Sequence, residues 1–306
     1  MADRVDITVL VDNYVDIFLP SRDVVSYPMP GGTSRLLGEQ GLSLYIEVRN
    51  GRALRRILLD FGRSDKVLFH NAKILGIDVF AVDYLVLSHG HADHYGAFSK
   101  LVKRVSEKTK LVIHPAARGL THFVRHKNGG FVGPWGIAEA LLEKLDSRVT
   151  VREGRTHLGC GAYVSGGIRR RTPFERGLEG AFLMRDGKEV RDDIVDDQSL
   201  SIDVGAPGIV VITGCCHAGL VNTLIQAREA FPERPIYAAI GGFHLNAADE
   251  RQMKATIDCL LELDVKYVSG LHCTGYFAQK RLMDALGQER WIPGAVGAHI
   301  GLPAGC

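Results

Sequence analysis

The chain has no apolar run approaching the ~20 residues that a membrane-spanning helix needs. It also has no excess of one charge. Its 37 Lys and Arg against 35 Asp and Glu leave a net charge of +2, so global electrostatics do not argue for nucleic acid or a lipid surface as partner. The opening Met1-Ala2-Asp3-Arg4-Val5-Asp6 carries charges throughout and lacks the apolar centre of a signal peptide. The six cysteines, at 160, 215, 216, 259, 273 and 306, form no paired framework, and reduced thiols are expected. These absences predict a cytosolic protein acting on a small molecule, with neither nucleic acid nor membrane as partner. Self-association into a homo-oligomer stays open.

What is present is an ordinary globular composition, 46% hydrophobic over 306 residues, enough for a sizeable core. Asp6 to Asp12 reads as an opening strand. The stretch from 20 to 41, with Pro20, Pro28, Pro30, Gly31, Gly32, Gly38 and Gly41, reads as a long loop. Leu42 to Val48 and Arg56 to Asp60 read as a hairpin turned at Asn50-Gly51. Ser64 is placed to cap a helix that runs to about Leu75 and stops at Gly76. A helix from Gly96 to about Lys108 and a buried strand Leu111 to His114 continue an α/β pattern. Composition changes over 117–148, where a helix from Ile137 to Leu145 is expected. That segment reads as an insertion, either a cap over a site or a surface excursion, in an otherwise single domain spanning 1–306.

The densest chemistry lies in Ser88-His89-Gly90-His91-Ala92-Asp93-His94. Three histidines and an aspartate fall within six residues, directly after the apolar run Asp83 to Leu87. Imidazole and carboxylate suit zinc, and also iron or manganese. His89 and His91 alternate and so share one side of an extended segment. Asp93 and His94 come as the chain turns into a helix and can face a second ion.

The same arrangement recurs downstream. A short apolar strand ends in a small-residue turn bearing a histidine, and a helix follows, at His217, His244 and His272. In α/β sheets ligands gather beyond the carboxyl ends of strands. His217 and His272 are therefore the best candidates to complete a metal site, with His244 as a further ligand or substrate contact. His70, His114, His122, His126 and His157 lack this context and default to structural or surface roles. Arg169-Arg170-Arg171 reads slightly better as solvated surface than as an anion hook, with Arg170 the substrate candidate if it is a hook.

His-x-His-x-Asp-His after an apolar strand resembles the signature of the metallo-β-lactamase superfamily. Gly41-Leu42-Ser43-Leu44, Leu59-Asp60-Phe61-Gly62, Asp196-Asp197-Gln198, Thr213-Gly214-Cys215-Cys216-His217-Ala218-Gly219, Gly241-Gly242-Phe243-His244-Leu245 and His272-Cys273-Thr274-Gly275 accompany it in order. Together they resemble the branch labelled dihydropterin–ribofuranosylaminobenzene-phosphate synthase-like, over roughly residues 5 to 300.

The resemblance implies an αββα four-layer sandwich. It implies that His89, His91, Asp93, His94, His217 and His272 are metal ligands, with Asp60 a structural carboxylate beneath them. Superfamily members often carry a bridging aspartate where Cys215 stands, so Cys215, His217 and Asp197 are alternatives for that role. Gln40 stands where the branch often has histidine.

The expected activity is hydrolysis of an ester, lactone, thioester, amide or phosphoester at two divalent ions, zinc before iron or manganese, with Asp93 orienting the attacking water. The alternative is a synthase or transferase on a pterin-like and phosphorylated ribosyl-arene substrate. A redox role is disfavoured: di-iron oxygen-reducing relatives carry glutamate where His91 stands, and a flavin domain.

Overall fold

The computed structural model describes residues 1–28 and 35–303. Pro30, Gly31 and Gly32 of the expected long loop, and Cys306, lie outside the described residues.

Two sheets carry the architecture. The first has eight strands in the order Val25–Ser26, His299–Pro303, Arg4–Val11, Ser43–Asn50, Ala53–Leu59, Tyr84–Val86, Lys110–Ile113 and Val149–Val151. The second has six, in the order Thr156–Gly159, Ala162–Val164, Ser199–Asp203, Ile209–Thr213, Ile236–Gly242 and Tyr267–Leu271. Each begins as antiparallel hairpins and finishes parallel. The first turns parallel from Ala53–Leu59 onward, and the second from Ile209–Thr213 onward.

Strand alternation sorts the side chains into layers. Ile7, Val9, Leu44, Ile46, Ile57 and Leu59 of the first sheet meet Leu200, Ile202, Val210, Ile212 and Ile240 of the second in one buried cluster. The opposite face of the first sheet, with Leu10, Leu58, Leu85 and Leu111, packs on Val67 and Leu68 of helix Asp65–Ile74 and on Phe98 and Leu101. The opposite face of the second, with Ile209, Val211, Ala239 and Val268, packs on helices Leu220–Ala230, Glu250–Glu262 and Tyr276–Leu286. Helix, sheet, sheet, helix is the expected αββα sandwich.

A third, four-stranded sheet joins Lys188–Arg191, Ala181–Arg185, His122–Arg125 and Phe131–Trp135. It assembles a hairpin from the 117–148 segment with another from 181–191, a pairing no local pattern announced.

Ser64 caps its helix as expected, its side chain accepting from Val67 N at 3.3 Å. Two helices come out shorter than read. Of Gly96 to Lys108 only Phe98–Leu101 is α-helical, and a separate single turn, Ala92–Tyr95, precedes it. Between them Gly96 lies so close to the Arg63 backbone that a Cβ there would overlap the Arg63 carbonyl, and its N–H donates to Gly62 O at 2.8 Å. Ile137 to Leu145 becomes a single turn, Glu139–Leu142, followed by a 3₁₀ stretch, Glu143–Arg148. No helix among the described residues is long and apolar enough to cross a membrane.

The packing between the sheets gives a direct expectation. Ile212 is fully buried there. Ile212→Ala should lower unfolding free energy by about 2–5 kcal/mol, seen as a shifted urea midpoint with unchanged slope.

Candidate metal centre

The parallel halves of both sheets end at the same place. The turn after Tyr84–Val86 delivers His89 to His94, the turn after Ile209–Thr213 delivers Cys215 and His217, and the turn after Tyr267–Leu271 delivers His272. The strand ends around this place use backbone that non-glycine residues rarely adopt. Asp60, Cys216, His244 and His272 have φ of 58°, 62°, 46° and 46°. Such strain collects where a ligand clamp over-determines the chain.

Asp60 ties the loops together. Its carboxylate accepts from Ser88 N at 2.7 Å, Ser88 Oγ at 2.8 Å and His94 Nδ1 at 2.6 Å, and the residue is fully buried. These bonds set tautomers. Ser88 Oγ donates to Asp60, so it accepts from His89 Nδ1 at 2.9 Å, and His89 Nε2 is left bare. His94 likewise spends its Nδ1 proton on Asp60 and turns Nε2 toward Cys215 Sγ, 3.1 Å away. His272 Nδ1 meets Asn13 Oδ1 at 3.0 Å, while its backbone N donates to the buried Asp12 at 2.7 Å. Its Nε2 then faces Asp93 Oδ2 at 3.4 Å.

The donors form overlapping groups whose ligand atoms lie within 4.8 Å of one another: His89, His91 and His217; His89, His94 and Cys215; Asp93, His94 and His272; Cys215, His272 and Cys273. All six residues read from the sequence as ligands therefore converge.

Burial pushes the imidazoles of His89 and His217 well below their usual range and His91 to about 3, so they are neutral, the form that binds metals. Burial acts the same way on His94, but the Asp60 carboxylate outweighs it and lifts His94 to about 9. Burial raises the Asp93 carboxyl. The His272 hydrogen bond and the nearby His94, His272 and His91 rings overcome this and hold it well below the carboxylate range.

A divalent cation fits this donor set. His89 Nε2 and His217 Nε2 face each other at 3.2 Å, and His91 Nε2 and His217 Nδ1 are buried without any hydrogen-bond partner. Each unsatisfied polar atom costs about 1–3 kcal/mol, which a bound ion offsets wherever the atom becomes its ligand.

The other candidates fall around this centre. Asp197 accepts from Ala218 N at 2.7 Å and joins no three-residue donor group among the described residues. Burial lifts its carboxyl to about 7. His244 sits with its ring 4.4 Å from that of His217 and outside those groups, on the wall of a cleft of about 600 Å³. The cleft runs past His217, His244 and Phe243 to Phe174, Lys127 and Arg176. Arg170 does not line it. Its guanidinium donates to Glu175 O at 3.3 Å and Asp193 O at 2.8 Å, holding a loop in place. Arg169 and Arg171 pair with Glu229 at the surface.

Gln40 Nε2 donates to Asp93 Oδ2 at 3.3 Å, so glutamine here steadies the aspartate. Two positions were not singled out as site residues from sequence. Asn13 orients His272, and Cys273 joins the donors; the available signals for Cys273 were its adjacency to His272 and its place in the His272-Cys273-Thr274-Gly275 stretch. His122, read from sequence as structural or surface, is buried. It bonds Asp192 Oδ2 at 2.6 Å and Ala116 O at 2.9 Å, and its ring lies 6.2 Å from that of His91. Burial lowers it, but the Asp192 hydrogen bond and the Asp196 and Asp192 charges raise it to about 9.

This chain belongs to the metallo-beta-lactamase superfamily, whose family model matches residues 39–269. It is 28% identical over 285 residues to the 7,8-dihydropterin-6-methyl-4-(beta-D-ribofuranosyl)-aminobenzene-5'-phosphate synthase of Methanocaldococcus jannaschii, covering 91% of this chain and 94% of that protein. A second, uncharacterized protein of the same organism is 28% identical over 269 residues, 88% of this chain and 95% of that one. A solved structure described as a metal-dependent hydrolase of the beta-lactamase superfamily superposes with a TM-score of 0.73 at 25% identity, covering 98% of this chain and 99% of that one.

The loops pack too tightly for added bulk. A Cβ on Gly214 would overlap Ser88 Oγ and stand 2.8 Å from Asp60 Oδ2. Gly214→Ala should cost about 1–3 kcal/mol of stability, measured by urea unfolding.

Proposed function

We propose that the protein is a metal-dependent hydrolase that cleaves an ester, lactone, thioester, amide or phosphoester bond of a small-molecule substrate. The observation that carries this reading is the facing pair of buried imidazole nitrogens, His89 Nε2 and His217 Nε2, 3.2 Å apart. His89, His91 and His217 would hold one divalent ion, and Asp93, His94 and His272 a second. Zinc suits imidazole and carboxylate best, and iron and manganese are the alternatives. When bound, such ions lower the pKa of water toward neutrality and polarise the oxygen of the scissile group.

The chain's own residues orient and exclude. Asp93 is ionised, and Gln40 and His272 hold its Oδ2. Its side chain is 16% exposed, the most accessible of the donors at its ion position. We assign it to orient the attacking water and to take its proton at a carboxylate oxygen. His244 and Phe243, on the cleft wall beside His217, would contact the substrate. The free thiols at 215, 216 and 273 suit a reducing compartment such as the cytosol.

A synthase or transferase acting on a pterin-like substrate and a phosphorylated ribosyl-arene is the second reading. It is favoured by the likeness to the synthase over 91% of this chain.

Elemental analysis of wild type beside His91→Ala tests the metal centre first. About two zinc-class ions per chain are expected, falling to about one in the variant. Turnover of a panel of the five bond types should vanish on chelation and return with metal. Turnover that survives complete metal removal sinks the hydrolase reading. Turnover confined to the pterin and ribosyl-arene pair favours the second. Asp60→Asn removes the charge that orients His94, and should weaken metal affinity about 10–100-fold by calorimetric titration.

A further inference from the structure

The centre contains sulfur as well as nitrogen and oxygen. Cys215 Sγ lies in two donor groups at once, with His89 and His94 on one side and with His272 and Cys273 on the other. Its neighbour in sequence behaves differently. Cys216 turns its sulfur away to Thr223 Oγ1, 3.2 Å off, on the helix that follows, and belongs to the apolar cluster behind the second sheet. The two adjacent thiols therefore have opposite environments, one an apolar core and one a set of imidazoles.

Cys273 is placed as deliberately. It follows His272, whose φ of 46° turns the chain sharply there, and its Sγ reaches Cys215 O at 3.4 Å. Room for that sulfur comes from the facing strand: a Cβ on Gly242 would stand 2.8 Å from Cys273 Sγ. Cys215 is 4% exposed. A small apolar residue would fill either position without bringing a sulfur to His94 or His272.

We propose that Cys215 and Cys273 are thiolate ligands of the metal centre, Cys215 being shared between the two ion positions and Cys273 belonging to the one held by Asp93, His94 and His272. This rests on the metal-centre reading above and deepens it. Each sulfur would bind as the thiolate. Thiolate is a soft donor and imidazole a borderline one. Their mixture favours zinc, and disfavours manganese and magnesium, which prefer oxygen. At the shared position Cys215 puts a soft sulfur where superfamily members often carry a hard carboxylate, so the centre would discriminate among metals by ligand softness rather than by charge alone.

Cobalt is the probe, because it enters zinc sites and reports sulfur by near-ultraviolet thiolate-to-cobalt charge-transfer absorption. Full-length protein is stripped with chelator and titrated with cobalt chloride, with bound cobalt counted by elemental analysis. Wild type should bind cobalt and develop the band, and manganese should fail to displace it while zinc succeeds. Cys216→Ser should keep the band, and the double variant Cys215→Ser with Cys273→Ser should lose it. Zinc X-ray absorption of the wild type should show sulfur in the metal's inner shell, a readout that needs no variant to fold. Cobalt bound without the band, or a band that survives in the folded double variant, overturns the sulfur ligation and leaves the metal centre standing. Failure of the wild type to bind any cobalt overturns both.

Discussion

The site hangs on one buried carboxylate. Asp60 is fully buried at the end of a central strand, where an ionised group without partners would cost several kcal/mol. Three hydrogen bonds at 2.6–2.8 Å offset that cost, and all three come from the histidine-rich loop. The carboxylate and the loop therefore stabilise each other. The bonds from Ser88 and His94 fix which nitrogen of His89 and of His94 faces inward. Everything the centre can do depends on those tautomers.

Around that anchor the fold supplies convergence. Two sheets packed face to face bring the ends of their parallel strands together, so donors from residues 89–94, 215–217 and 272–273 meet without any long-range motif linking them. A second carboxylate, Asp196, repeats the device on a smaller scale by accepting from Gly90 N at 2.7 Å. His122 of the third sheet, held by Asp192 2.6 Å away, packs against Gly90 of the same loop, where a Cβ would stand 3.2 Å from its ring, and Trp135 of that sheet sets its ring edge-on to His91, 5.1 Å between centroids. The small sheet is thereby joined to the histidine-rich loop through side chains rather than through main-chain pairing.

Much of this was legible locally. The period of Asp6 to Asp12, the Asn50-Gly51 turn, the Ser64 cap and the three late helices are short-range patterns, and each forms where the residues place it. The histidine cluster was legible because six residues hold four donors. Other features were not local. The helix expected from Gly96 begins only at Phe98, because the Arg63 backbone lies against Gly96. Residues 181–191 join the 122–135 hairpin by pairing across a gap that no periodicity spans. The Arg169–Arg171 run read slightly better as surface than as an anion hook, and no local pattern announced that the Arg170 guanidinium donates to two backbone carbonyls.

By itself the sequence determined the supply of metal-type donors and the layer architecture. Donor type, spacing and strand periodicity are properties of neighbouring residues, and neighbours are what a chain specifies directly. The tertiary structure alone decided which donors share a position. It set the Cys215 sulfur beside His94 and turned the Cys216 sulfur, one residue on, into an apolar core. It left Asp197 bound to Ala218 and outside the donor groups, and it gave Asn13 the task of orienting His272. These are choices of direction among side chains far apart in sequence. Such directions are set by the packing of one sheet on another, which no local pattern encodes.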